Sequence, residues 1–535
     1  MLAVDVLRRS LTLVVMLGAL SLGMILWADA QEPKQGGSLK LIPHADLKVL
    51  DPIWTTAYIT RNHGYMVYDV LFSLDEQLNI QPQMVESWKK GQDELTYTFT
   101  LRPGLTFHDG QRVTANDAVV SIKRWGQRDV MGKQLMAATA RLEAVDERTF
   151  VLELKEPVGL VLDALGKPSS NVPFIMPARI AATPADEQVK EVVGSGPFKF
   201  VKEEWQPGHR VVYVRNPDYI PRDEPPSFGA GGKRVYLERV EWLYIPDSAT
   251  ANAALEAGEV DYWERPPVDF IARLEKNPNV TVSIVDPMGT QGWLRPNHLH
   301  PPFNHPKARQ ALLYLVNQET YLQAAIGDKR YWQPCAAYFI CGSPWESEAG
   351  AEPYKKQDIA KAKQLLQEAG YDGSPVVLLD PTDIPILHAA TLVTRELLSK
   401  AGVKVNLQAM DWSTLVSRRA EKKPPAEGGW NLFHTWAVAT DVYSPAINAG
   451  IASDCDKAWF GWPCSARMEK LRTEWARASE PTKKKQLAED IQRLAYDEVP
   501  YVNWGQWYLP AAYRKHVKGV VPFPAPVVWN IWLDK

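Results

Sequence analysis

The stretch LTYTFTLRPGLTFHDGQRVTANDAVVSIKRW, Leu95 to Trp125, switches hydrophobic period partway along. Tyr97, Phe99 and Leu101 alternate with Thr96, Thr98 and Thr100, the period-two pattern of a half-buried strand. Arg102-Pro103-Gly104 and His108-Asp109-Gly110 supply turn chemistry on either side of a second short strand. Thr114, with Asp117 three residues on, predicts a capped helix whose apolar face carries Val119, Val120 and Ile122. A chain that changes from period two to a helical period so abruptly must pack sheets against helices. No residue of the block has a catalytic pattern, so it reads as scaffold.

The same alternation recurs downstream. RTFVLELKEP (148–157) is an alternating strand, and VVGSGPFKFVKEEW (192–205) a glycine turn into a strand. PGHRVVYVRNPDY adds a further strand and a turn. DSATANAALEAGEVDYW (247–263) reads as helix, glycine stop and short strand. Asp358 and Gly370 bracket one helix, Gly402 ends another, VKVNLQAMDW is a strand, and a helical pair spans about 465–499. Strands interleaved with helices imply α/β domains with mixed sheets.

With 535 residues, two to four domains with sizeable cores are expected. A net charge of −3 gives no reason to expect nucleic acid or an anionic membrane surface as a partner. Tryptophan, at 20 residues, is the outlier, and most lie in the C-terminal half. Indole rings suit ligand pockets and interfaces as well as cores.

The N-terminus carries Arg8 and Arg9, an apolar run from Leu11 to Ala28, and Ala28-Asp29-Ala30 before a polar QEPKQGG. This is the pattern of a secretory signal peptide cleaved after Ala30, with the paired arginines leaving Sec and twin-arginine export both open. A retained membrane anchor is the rival. The mature protein is expected to be soluble and outside the cytoplasm. In an oxidising compartment the four cysteines are expected to pair locally, Cys335 with Cys341 and Cys455 with Cys464.

Motifs for catalysis are missing: there is no G-x-S-x-G, H-E-x-x-H, P-loop, G-x-G-x-x-G or EF-hand loop. His298, His300 and His305 in NHLHPPFNHP could approach one ion, but no carboxylate or thiolate nearby completes a set, and the prolines favour a stiff structural loop. No metal and no cofactor is expected. Asp441, in HTWAVATDVYSPAIN between Trp436 and Tyr443, is the residue of interest. A carboxylate among aromatic rings is either a solvated loop residue or the partner of a cation, such as a ligand ammonium. No structural partner for it is evident in the sequence.

Taken together, GGSLKL, VLDP, LFSLDEQLNIQPQMVESWKK and the Leu95 block resemble the start of the extracellular solute-binding proteins of family 5, the peptide and nickel receptors of bacterial ABC importers. GSGPFKF, VRNPDY, ALEAGEVD, PPFNHPKARQALLYLVNQE and AKQLLQEAGY continue the resemblance along essentially the whole mature chain. It implies an α/β fold of the two-lobed periplasmic-binding-protein kind (type II, three-domain, cluster C-like), with mixed sheets and a hinge. The implied domains are residues 31–78, 194–290 and 501–535 for domain I, 79–193 for domain II and 291–500 for domain III, the second lobe, with crossings near Thr290 and Tyr501. In peptide-binding members, an aspartate in a W-x-x-D-Y-x-x-P-like loop pairs with the peptide amine. Asp441 matches it, with Pro445 at the expected offset and Val442 where an aromatic is usual.

The resulting expectation is a monomeric, non-enzymatic periplasmic binding protein that hands a small molecule or peptide to transmembrane permease subunits of an ABC importer. Asp441 would meet a cation. Trp430, Trp436, Trp504 and Trp507 would form aromatic walls, faced by Thr56 and Tyr58 from the first lobe. An exported peptide hydrolase, a tethered sensor, and a receptor for an opine, metal chelate or sugar are the alternatives. N-terminal sequencing of the exported protein is expected to begin at Gln31; retention of residues 1–30 would identify an anchor instead.

Overall fold

The chain is described by a computed structural model covering residues 32–478 and 480–535, so the expected signal segment 1–30 lies outside the described residues. Thr96–Leu101 is a strand, and Ala115–Trp125 a helix closed by a capping box in which Thr114 and Asp117 satisfy each other's backbone N–H. The expected second strand is reduced to a single bridge, Thr106 to Arg112. The turn closes so soon, with Phe107 N donating to Gln111 O, that no ladder can extend. Thr96–Leu101 sits inside a four-stranded antiparallel sheet with Val85–Lys90, Thr149–Leu154 and Thr139–Ala144. Its buried face stacks Phe99 on Phe150, ring centroids 4.9 Å apart, and the helix Ala115–Trp125 covers it.

Two larger mixed sheets carry the rest. The first has seven strands, in the order Phe198–Phe200, Arg210–Arg215, Arg239–Leu243, Ser38–Ile42, Tyr262–Trp263, Pro510–Arg514, Val280–Ile284. Ser38–Ile42 runs parallel to both neighbours, and the outer pairs are antiparallel. The second has six, in the order Trp332–Gln333, Val502–Trp507, Thr290–Pro296, Leu432–Val438, Val376–Pro381, Val405–Met410. Helices Pro385–Lys400 and Gln318–Ala325 pack on it. The first sheet and the four-stranded sheet form one lobe, and the six-stranded sheet with its helices the other.

The chain passes between the lobes twice, after Ile284 into Thr290 and after Trp507 into Pro510. The second passage thus falls at Tyr508 and Leu509 rather than near Tyr501, because Val502–Trp507 is still hydrogen-bonded to Thr290–Pro296. Gly289 takes φ +76° at the first passage, where a side chain would also strike the Trp507 carbonyl. Gly292 is needed for another reason: a Cβ there would lie 2.1 Å from the Trp504 ring. Among the described residues no helix is long and apolar enough to cross a membrane.

Arg295, on the second lobe's central strand, is fully buried, and among the described residues no carboxylate pairs with it. Its guanidinium instead donates to the carbonyl oxygens of Gly450 (2.6 Å), Pro500 (2.7 Å), Phe460 (2.6 Å) and Trp459 (3.1 Å). Burial lowers its pKa to about 9, against a small opposing effect of Tyr501. Strand, hinge approach and the 450–464 loop are tied at one point. The same loop is closed by the disulfide Cys455–Cys464, and Cys335–Cys341 closes a second short loop. Arg295→Met would leave four carbonyls without their donor. It is expected to lose about 3 kcal/mol or more of stability, since each orphaned buried group costs about 1–3 kcal/mol. The exposed Arg330→Ala is expected to stay within about 1 kcal/mol of wild type in the same urea titration.

Candidate interlobe binding site

The first lobe presents residues 54–58 at the cleft, and their path is set by a buried carboxylate. Asp51 accepts from the backbone N–H of Ile53 (3.0 Å), Trp54 (3.1 Å) and Val189 (3.0 Å) and forms a two-pronged pair with Arg124 (3.1 and 2.7 Å). Asn171 Nδ2 donates to the carbonyls of Ile53 (2.8 Å) and Thr55 (2.9 Å). The helix Tyr58–Val67 begins immediately afterwards, so Thr56 and Tyr58 are held facing the other lobe. From that lobe, strand Leu432–Val438 runs into the short helix Ala439–Val442, which carries Asp441.

Asp441 is 6% exposed and is no solvated loop residue. Its Oδ2 accepts from the Tyr58 hydroxyl at 2.6 Å and the Ser169 hydroxyl at 3.0 Å, both from the opposite lobe. The Tyr58 oxygen in turn accepts from Val438 N–H at 2.9 Å. Arg61 supports the group from behind, donating to Ser169 Oγ at 2.6 Å and lying 4.4 Å from the Tyr58 ring centre. Structural partners that the sequence did not reveal are therefore present. The other oxygen, Oδ1, is buried and has no hydrogen-bond partner among the described residues. Burial raises the carboxyl pKa, and the Lys167 charge, the Tyr58 hydrogen bond and Arg61 offset part of that rise. Lys167 is itself committed to Asp129.

These groups line an interlobe cavity of about 610 Å³. Asp441, Trp436, Trp412, Trp459 and Arg419 come from the second lobe, and Thr56 and Tyr58 from the first. A second cavity of about 360 Å³, with a mostly apolar wall, lies on the other side of Trp436 and includes Trp507, Trp263 and Ile386. Trp436 is the partition: it stacks on Trp412 at 5.0 Å, takes the edge of His44 at 6.1 Å and has Arg265 over its face at 5.4 Å.

Of the seven residues singled out in the sequence, Asp441, Trp436, Tyr58 and Thr56 line the larger cavity and Trp507 the smaller. Trp430 and Trp504 lie in the core of the second lobe, fully buried. Trp430 donates to the Arg419 carbonyl at 3.2 Å, and Trp504 stacks on Trp507 at 4.6 Å. The histidine loop has separate tasks: His300 contacts the Lys422 carbonyl at 2.9 Å, and His305 caps the helix Pro306–Leu315. Ser169, Trp412, Trp459 and Arg419 were not singled out. Arg419 sits in SRRAEKKPP, a charged run in which nothing local sets it apart.

A family model described as bacterial extracellular solute-binding proteins, family 5 Middle, matches residues 79–446. A "Probable peptide ABC transporter periplasmic-binding protein" of Sinorhizobium fredii is 41% identical over 489 residues, 91% of this chain and 92% of the relative. Among solved structures, a periplasmic binding protein of A. tumefaciens R10 in complex with agropinic acid superposes with TM-score 0.79 at 22% identity, covering 93% of this chain and 99% of that one. A Helicobacter pylori periplasmic binding protein in complex with the peptide STSA gives TM-score 0.79 at 23% identity, covering 94% and 99%.

Tyr58→Phe removes both interlobe hydrogen bonds of the phenol while leaving its ring. A hydrogen bond to a charged group contributes about 1.5–3 kcal/mol. The variant is expected to fold normally, to show a larger radius of gyration than wild type by small-angle scattering, and to bind solute about tenfold or more weakly.

Proposed function

The chain belongs to the bacterial extracellular solute-binding proteins of family 5, and from that membership we propose that it captures a short peptide, or another compound with a free amine, in the periplasm for a membrane permease. It is a substrate-binding protein of an ABC importer and not an enzyme. The proposal extends to export through residues 1–30, to action as a monomer, and to domain limits close to the passages at 285–289 and 508–509.

One observation carries the choice of solute. Asp441 lines the cavity with one oxygen held by Tyr58 and Ser169 and the other without a partner. A buried carboxylate is costly unless a cation compensates it. A ligand ammonium reaching Oδ1 would do so. The names of the relatives point the same way, peptides in two of them. Closure would then be driven by the pair itself: the amine engages the second lobe, while Tyr58 and Ser169 hold the same carboxylate from the first. An opine-type solute is the second reading, favoured by the likeness to the agropinic acid complex.

Native mass spectrometry of protein purified without unfolding is expected to identify a co-purifying amine-bearing solute. Calorimetric titration with that solute is expected to show Asp441→Asn weakened by roughly two to three powers of ten, as loss of one partner of a buried ion pair costs about 3–5 kcal/mol. The pH dependence follows from the raised pKa of Asp441. Protonation neutralises the carboxylate, so affinity falls on acidification, starting above the range of an ordinary aspartate near about 3.9. Asp441→Asn should lack that fall, and wild-type affinity flat from pH 7 to pH 4 would speak against the ion pair.

A further inference from the structure

The loop closed by Cys455 and Cys464 forms one wall of the larger cavity, yet it has little secondary structure of its own. Between the cysteines lies one short 3₁₀ turn, Cys455–Lys457. The disulfide draws the two ends together, and Cys455 N–H donates to the Pro463 carbonyl at 3.1 Å. At the middle of the loop, Trp459 and Phe460 line the cavity. Arg295 holds their carbonyls, and His298 N–H donates to the Gly461 carbonyl at 2.8 Å. The loop is thus anchored twice, at its middle by these donors and at its base by the disulfide. One anchor alone would leave it free to rotate; two fix the direction in which the Trp459 indole faces.

The same loop is one of the places where the second lobe meets the first. Trp459 Nε1 donates to Thr56 Oγ1 at 3.2 Å. Lys133, on the first-lobe helix Val130–Ala138, donates to the Lys457 carbonyl at 2.7 Å and lies 3.8 Å from the Asp454 carboxylate. The rings of the loop also cover a buried cation. Arg419 is 2% exposed, and its Nη2 donates to the same Thr56 hydroxyl oxygen at 3.2 Å. Its Cζ lies 4.7 Å from the centre of Phe460, 5.2 Å from Trp459 and 5.7 Å from Trp412. Among the described residues no carboxylate pairs with it, so these ring faces are part of what compensates its charge. The second disulfide differs. Among the described residues the loop Cys335–Cys341 lines neither cavity, and its hydrogen bonds with Gln318, Gln492 and Asn503 stay within the second lobe.

We infer that the loop Cys455–Cys464 is a latch across the cleft and that its disulfide is a positioning group for solute binding, holding Trp459 where the indole reaches Thr56, so that affinity depends on this disulfide and not on Cys335–Cys341. The physical basis is preorganisation. Ordering a free loop and its side chains on closure is subtracted from the affinity, and a covalent link at the base removes those conformations beforehand. The effect is specific to one disulfide. Closing the cleft must seat the loop 455–464 against Thr56 and Lys133, whereas the loop 335–341 keeps its partners whether or not the lobes meet. The inference does not depend on the amine-binding role of Asp441, since it applies to any solute enclosed in the larger cavity.

The test presents a synthetic pool of di- and tripeptides to the full mature chain, selects the most strongly retained member by native mass spectrometry, and titrates it calorimetrically. Cys455→Ser/Cys464→Ser is expected to bind about tenfold or more weakly than wild type. Cys335→Ser/Cys341→Ser is expected to stay within about threefold, although both double variants lose thermal stability. Trp459→Phe, which keeps a ring and removes the donor to Thr56, should weaken wild type about threefold or more, the scale of a neutral hydrogen bond. In the Cys455→Ser/Cys464→Ser background it should cost nothing further, because the contact is already lost. A disulfide that only stabilises the fold would leave the effect of Trp459→Phe unchanged. Unaltered affinity without Cys455–Cys464, an equal loss without Cys335–Cys341, or full additivity with Trp459→Phe overturns the inference. Should Cys455→Ser/Cys464→Ser fail to fold by circular dichroism, Trp459→Phe and Lys133→Met decide with the disulfide intact: each is expected to bind about threefold or more weakly, and wild-type affinity in both overturns the latch. Should wild type retain no member of the pool, the peptide reading falls and small-angle scattering of the solute-free proteins judges the latch. A larger radius of gyration for Cys455→Ser/Cys464→Ser than for wild type and for Cys335→Ser/Cys341→Ser is then expected, and equal radii overturn it.

Discussion

The Tyr58 hydroxyl is the point on which the arrangement of the two lobes turns. It donates to Asp441 and accepts from the Val438 backbone, so a single oxygen from the first lobe engages both the end of a strand and the start of the next helix in the second. Neither contact exists unless the lobes meet. Because both are buried, water is poorly placed to replace them. The interlobe surface is therefore organised around a polar centre and not around apolar contact alone. Ser169 and Arg61 extend that centre on the first-lobe side.

Each half of this centre rests on a separate buried charge. Asp51, paired with Arg124, fixes the turn that leads to Thr56 and Tyr58. Arg295 fixes the loop carrying Trp459 and Phe460, which the disulfide Cys455–Cys464 also closes. Both are distant in sequence from the residues they position, and both satisfy their own hydrogen bonds within the protein. Asp441 and Arg419 differ in this respect: each is buried with part of its hydrogen-bonding capacity unused.

Local elements were legible where local physics decides them. The Thr114–Asp117 capping box, the Asp358 cap and the glycine stops at Gly258 and Gly370 are set by residues a few positions apart. The short strand after Gly104 was not, because its length depends on where the hairpin closes. Among the tryptophans, composition could not separate walls from core. Trp436 and Trp507 border cavities, whereas Trp430 and Trp504 fill the second lobe, and their neighbours in sequence are equally aromatic. Arg419 was hidden in a charged run whose other members are exposed or partly exposed; only its packing under three rings distinguishes it.

The sequence by itself determined the mixed α/β class, the two local cysteine pairs, the resemblance to a family of binding proteins, and Asp441 as a residue of interest. These depend on periodicity, spacing and the order of blocks along the chain, which are properties of the chain alone. The tertiary structure decided the rest: that the second passage falls after Trp507, that Asp441 is held by Tyr58 and Ser169, and that Arg419 is buried without a carboxylate. The physical reason is burial. Whether a charge is solvated, paired or left unsatisfied is fixed by groups hundreds of positions away, and it appears only when the two lobes are brought together.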